Sequence, residues 1–260
     1  MFRENWLKSR LRAGKKSLGC WLAMGSPAAA EIIGLAGFDF ALIDLEHGPG
    51  EYENAVAQMQ AMSAAPTTAL VRVPTNDQIH IRRALDAGAE GIMVPMVETA
   101  EEAAAAVAAC RFPPRGIRGS ATSIVRAANY GMAEADYIDR FEDNLLILCQ
   151  IETLKGIENI GEIAGVEGVD LLFVGPSDIS TVMGYARQRD HADVKAMLAR
   201  VEAEIKATGK WMGTVPRYGM SPPELFALGY DMVSGGSDSG HIRKVAAEQM
   251  KAHRAANDGD

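Results

Sequence analysis

Basic charge is in deficit in this sequence: 26 lysines and arginines stand against 34 aspartates and glutamates, a formal net charge of −8. Nucleic acid and anionic membrane surfaces both need a concentrated basic face, so neither is expected as a partner. No apolar run approaches the roughly 20 residues of a membrane span. The N-terminal stretch "MFRENWLKSRLRAGKK" is too charged to hold the apolar segment of a secretion signal, and a cytoplasmic protein is expected. Cysteine is scarce. Cys20, Cys110 and Cys149 are widely separated, with no CxxC or other metal-binding spacing, so they read as buried free thiols. Three catalytic signatures are missing as well. No GxGxxG or P-loop follows the first strand pattern, which argues against a dinucleotide fold. No GxSxG elbow or supported Cys–His pairing appears, which argues against hydrolase-type nucleophilic catalysis. No lysine lies on any candidate strand, and a Schiff-base aldolase needs one.

What is present is a composition of 48% hydrophobic and 23% charged residues, that of a soluble globular enzyme with a sizeable core. Apolar, β-rich runs alternate with helical patterns. The candidate strands are "LGCWLAM", "FALIDLEH", "TALVRVP", "GIMVPMV", "LLILCQIE", "DLLFVGPSD", "WMGTVP" and "DMVSGGSD". Helical stretches between them often end in Gly, as helix C-termini do. Such alternation implies parallel strands with helical crossovers. Eight units predict a single α/β domain over residues 1–260, a (β/α)8 TIM barrel preceded by a short N-terminal helix, "ENWLKSRLR". The segment from Phe112 to Asp143, with Arg115, Arg118 and Arg126, breaks the rhythm. It reads either as a solvated loop with a short helix or as a lid or subunit contact.

Barrel chemistry collects where strands end. Trp21 stands near the end of the first candidate strand, Glu46 and His47 end the second, Arg72 lies on the third, Gln150 and Glu152 end the fifth, Ser177 and Asp178 the sixth, Ser237 and Asp238 the last. Glu152 and Asp178 fall at the ends of adjacent strands, about 5 Å apart, where two ionised carboxylates repel. A shared proton, a protein cation or a divalent metal relieves that; with no strand lysine, a hard metal such as Mg²⁺ or Mn²⁺ is favoured. A 2-oxo acid would chelate it, Arg72 could stabilise an enolate oxygen, and His47 could move the proton. Asp44 and Glu46 alternate around Leu45, and Asp44 is expected to orient His47.

The words "GFDFALIDLEHGP", "VRVP", "GAEGIMVPMVETAEEA", "FPPRGIRG", "QIETLKGIENIGEIAGVEGVD" and "LLFVGPSDIS" resemble the HpcH/HpaI aldolase/citrate lyase family, the class II metal-dependent pyruvate aldolases. The resemblance implies reversible cleavage of 4-hydroxy-2-oxo acids to pyruvate and an aldehyde, with Mg²⁺, Mn²⁺ or Co²⁺ held by Glu152 and Asp178. It further implies His47 as base and Arg72 on the enolate. Gln150, Gly175 and Ser177 would line the pyruvate site, the last two through backbone N–H groups, with Trp21 as a wall. Asp86 would approach a neighbouring subunit's site in a homo-oligomer, commonly a hexamer. The segment "SATSIVRAANYG" would help choose the aldehyde; Arg126 there reads either as a grip for a carboxylate-bearing aldehyde or as an exposed or interface arginine. Two rivals remain: a citrate-lyase-β-like lyase of acyl-CoA thioesters, and a barrel that binds a metabolite without catalysis.

Overall fold

The computed structural model describes residues 2–217 and 219–257. Eight parallel strands close into one barrel in chain order: β1 (Ser17–Leu22), β2 (Phe40–Asp44), β3 (Thr68–Arg72), β4 (Gly91–Val94), β5 (Leu146–Ile151), β6 (Leu171–Val174), β7 (Trp211–Thr214) and β8 (Met232–Ser237). The expected (β/α)8 TIM barrel is therefore the fold. Around it run α1 (Trp6–Arg12), α2 (Pro27–Leu35), α3 (Tyr52–Ala61), α4 (Gln78–Ala87), α5 (Ala100–Cys110), α6 (Glu134–Asn144), α7 (Leu154–Glu158), α8 (Ile160–Gly165), α9 (Pro176–Val182), α10 (Ala192–Thr208), α11 (Pro222–Ala227) and α12 (Asp238–Asn257).

Period-two alternation sorts the strand residues into two cores. Phe40, Leu42, Leu146, Leu148, Leu171 and Phe173 fill the barrel interior. Their odd or even neighbours, Ala41, Ile43, Ile147, Cys149, Leu172 and Val174, pack outward against the helices. The interior is full because large residues face glycines: a Cβ at Gly19 would sit 2.3 Å from the Phe40 ring. All three cysteines are buried and free, as expected, and burial pushes the Cys149 thiol up to about 12. No helix among the described residues is long and apolar enough to cross a membrane.

The expected strands run past their observed ends, because rim residues such as Glu46 and His47 leave the ladder to turn, their N–H groups donating to Asp44. The crossover after β5 is two short helices, α7 and α8, separated at Asn159. The word "GPSD" opens a helix: Pro176 occupies a first-turn position of α9, where its missing N–H costs nothing. In the irregular segment, α6 and a short turn at Arg126–Ala128 are the ordered elements.

The N-terminal end of the barrel shows a fourfold device that the sequence reading missed. The words Gly37-Phe38-Asp39, Gly88-Ala89-Glu90, Gly168-Val169-Asp170 and Gly229-Tyr230-Asp231 each precede an even-numbered strand, and every one of these glycines has positive φ. Each carboxylate accepts a backbone N–H from the preceding strand: Leu18, Ala69, Ile147 and Met212, at 2.8–3.0 Å. Each also meets a cation from the N-terminal segment. The pairs are Arg10–Asp39, Arg3–Glu90, Lys8–Asp170 and Lys16–Asp231, at 2.9–3.1 Å. With Leu7 and Leu11 inserted into the interior core, α1 closes the barrel's bottom.

Candidate active site

The opposite, C-terminal rim gathers the expected chemistry. Even-numbered residues of β5 face inward, so Gln150 and Glu152 continue the row of Leu146 and Leu148 up to the mouth. Ile151 pairs with Val174, which brings Glu152 beside the start of α9 and hence beside Asp178. A Cβ at Gly175 would lie 2.9 Å from Glu152 Oε2 and 3.4 Å from Asp178 Oδ2. Glycine is thus required there, and both carboxylates converge on its neighbourhood. A pocket at the mouth is lined by Glu46, His47, Met96, Glu152, Thr153 and Asp178 among others.

Burial first, and then the charge of Asp178, raise the Glu152 carboxyl to about 7; the Met96 N–H, donating to Oε1 at 2.9 Å, and Arg72 pull the other way. Gln150 donates to Glu152 Oε2, and its own buried Oε1 has no partner. Two converging carboxylates, an orphaned carbonyl oxygen and no lysine between them form an all-oxygen donor set, which fits a hard divalent cation that keeps most of its positions for water or substrate. No cluster of three or more His, Cys, Asp or Glu is found among the described residues, so the protein's share would be this pair.

Arg72, at the end of β3, is buried and triply engaged. Its Nε and Nη2 donate to both oxygens of Asp44 at 3.0 and 2.7 Å, its Nη1 lies 2.8 Å from Glu46 Oε2, and its guanidinium stacks 4.4 Å from the Trp21 ring. The parallel register pairs Asp44 with Arg72 directly. Asp44 and Glu46 therefore do not take opposite roles around Leu45. Two residues apart, they share the inward side and hold one guanidinium, while Leu45 joins the outer core. Asp44 also accepts the backbone N–H of Glu46 and of His47 at 3.0 and 3.2 Å; it fixes the turn that carries His47 rather than the imidazole. The His47 side chain is 70% exposed at the mouth and stands 4.0 Å from Glu46 Oε2. Burial raises the Glu46 carboxyl against the opposing pull of Arg72.

Three expectations need correction. The Gly175 N–H is not open to a substrate carboxylate, because it extends the ladder to the Ile151 carbonyl at 3.1 Å; of the two backbone donors named, only Ser177 opens the first turn of α9, where N–H groups lack intrahelical acceptors. Arg126 lies at the other end of the barrel, donating to the Ala87 carbonyl at 2.9 Å, and cannot grip an aldehyde at its own chain's mouth. Arg118 is no loop cation: it is fully buried, bonded to Asp86 at 2.8 Å and Tyr137 at 2.8 Å and ringed by Phe112, Tyr137 and Phe141. Asp86, in the last turn of α4, consequently sits toward the barrel's bottom. Asp238 was read only as a rim residue; its buried carboxylate accepts the N–H groups of Ala23 and Met24 and ties the end of β1 to β8. Met96, which caps Glu152, carried no sequence signal at all.

A closed barrel with converging carboxylates, a stacked arginine and an exposed histidine at its C-terminal rim has the build of a barrel enzyme. The chain belongs to the HpcH/HpaI aldolase/citrate lyase family, whose model matches residues 17–245. It is 39% identical over 239 residues to a 5-keto-4-deoxy-D-glucarate aldolase of Salmonella paratyphi C, covering 92% of this chain and 93% of that one. Among solved structures, a family member from Burkholderia cenocepacia J2315 superimposes with a TM-score of 0.91 at 35% identity over 96% of this chain and 99% of the other. The citrate synthase SbnG does so with 0.86 at 27% identity, covering 98% of this chain and all of that one. Family membership and the curated relative's name support aldolase chemistry.

Proposed function

We propose that the protein is a divalent-metal-dependent aldolase that reversibly cleaves 4-hydroxy-2-oxo acids to pyruvate and an aldehyde. The observation that carries this reading is the convergence of Glu152 and Asp178 with no protein cation between them. The similarity to a 5-keto-4-deoxy-D-glucarate aldolase supports the substrate class. Numbered from its far carboxylate, that compound is itself a 4-hydroxy-2-oxo acid, and it is the first substrate to test.

Glu152 and Asp178 would hold Mg²⁺, Mn²⁺ or Co²⁺, which when bound polarises the substrate's keto group as a Lewis acid. The remaining work belongs to side chains. His47, exposed at the mouth, takes the C4 hydroxyl proton at an imidazole nitrogen. The C3–C4 electron pair then moves into the pyruvate enolate and the aldehyde departs. Arg72, held rigid by Asp44, Glu46 and Trp21, supplies positive charge where the enolate oxygen develops, without reorganising. Return of the proton to C3 completes pyruvate. Gln150 and the Ser177 N–H would orient the 2-oxo acid, and Trp21 would wall the site. Asp86 lies too far below its own mouth to act there; any catalytic role for it requires the mouth of a second copy in a homo-oligomer, with a hexamer as the expected state.

A coupled pyruvate-release assay on a panel of 4-hydroxy-2-oxo acids, using chelator-stripped protein with and without restored Mg²⁺, Mn²⁺ or Co²⁺, tests the reading. Pyruvate released only on metal return supports it. Folded protein that releases none with any metal overturns it and favours the acyl-CoA lyase or the non-catalytic binder. Near-normal cleavage by His47→Ala would remove the base assignment alone.

A further inference from the structure

β4 ends at Val94, and the chain does not run straight on into α5. At Met96 the backbone turns left-handed, with φ at 51°, a conformation that is costly for a non-glycine residue and persists only where neighbours enforce it. Here they do. Val97, buried in the outer core, re-attaches the chain to β5 by donating to the Gln150 carbonyl at 3.2 Å. Asn159 Nδ2 donates to the Glu98 carbonyl at 2.7 Å. Gly156 leaves room for this approach, since a Cβ there would lie 2.8 Å from the Val97 carbonyl oxygen. The clamped loop directs the Met96 N–H at Glu152 Oε1, 2.9 Å away. Meanwhile Oε2, bonded to Gln150, is the oxygen that lies near Gly175 on the Asp178 side.

We infer that Met96 is a positioning residue for the cation site. Its strained turn aims a backbone N–H at Glu152 Oε1 and so fixes the carboxylate with Oε2 facing Asp178, ready to ligate. This rests on the metal-dependent reading above. A glutamate left to rotate would have to be ordered each time a cation bound, whereas the Met96 N–H has already set its rotamer. The work is done by the main chain, so the side chain is replaceable and the N–H is not.

The test is calorimetric titration of the chelator-stripped full chain with Mn²⁺, alongside thermal melts. Met96→Gly keeps the N–H and adopts positive φ without strain, so its Mn²⁺ affinity should stay within twofold of the native value. Met96→Pro lacks the N–H and cannot reach positive φ; losing a hydrogen bond to a charged acceptor should weaken Mn²⁺ tenfold or more. Met96→Val, whose β-branch disfavours the left-handed turn, should weaken it several-fold and decides the matter if the proline variant does not fold. Native-like affinity in a folded Met96→Pro, or in Met96→Val when the proline variant does not fold, overturns the inference. So does a Met96→Gly as weak as Met96→Pro. Failure of the native chain to bind Mn²⁺ at all overturns the metal reading itself, and this inference with it.

Discussion

At the bottom of the barrel Asp39, Glu90, Asp170 and Asp231 each meet a lysine or arginine within 3.1 Å and a backbone N–H besides. At the top, Glu152 and Asp178 meet each other, and the nearby Arg72 is already held by Asp44 and Glu46. The same functional group thus serves two ends. Pairing at the bottom fixes strand register and anchors the N-terminal segment. The pair at the top has no cation of its own: burial first, and the charge of Asp178 second, hold the Glu152 carboxyl up, a penalty on its ionised form that a bound cation can relieve. This division, with stability at strand starts and chemistry at strand ends, is the one a barrel enzyme needs.

The comparison can be broken most severely at the top. Asp178→Asn or Glu152→Gln should reduce metal-dependent pyruvate release at least about a thousandfold, because Lewis-acid catalysis supplies several kcal/mol, while the melting temperature holds or rises as repulsion is removed. At the bottom the pattern should invert. Asp170→Asn strands Lys8 as a buried charge and should cost about 3 kcal/mol of stability by denaturant titration, the usual consequence of breaking such a pair from one side, with turnover per folded molecule retained. Arg72→Lys should lower kcat about a hundredfold with the fold intact, since a point charge cannot span Asp44 and Glu46 while stacking on Trp21.

The smallest effect is on pH dependence. Glu152, at about 7 when folded against an ordinary 4.5, binds more proton in the folded than in the unfolded chain between those values. Its contribution to stability in the metal-free protein is complete below about pH 4.5 and is lost as pH rises through about 7. The loss should be on the order of 2 kcal/mol, allowing for screening by solvent at the mouth. Melts of native and Glu152→Gln protein across that range should agree at acid pH and diverge above neutrality, where the variant becomes the more stable, and saturating Mn²⁺ should offset the native protein's loss.

Much of the rim was legible because strand ends are local features. "DLEH", "QIE" and "GPSD" put the right side chains after the right apolar runs, and the eight-unit rhythm placed those runs in one barrel. Arg126 stays ambiguous in the sequence because the segment between α5 and β5 has no periodicity to orient it; its packing against the end of α4 reveals the face it serves. The fourfold Gly-x-Asp/Glu repeat was in plain view, but its meaning required knowing which strands are even-numbered and where the N-terminal cations fall.

The barrel, its inward and outward faces and the residue types at its mouth follow from neighbouring positions along the chain, through their two-residue and 3.6-residue periods. The partners follow instead from closure of the barrel in space. Arg3 finds Glu90 87 residues away, Arg72 is shared by two carboxylates of another strand, and Met96 is bent against its own preference to face Glu152. Hydrogen bonds and ion pairs act over a few ångströms of space, and sequence distance is blind to which residues closure of the barrel will bring that near.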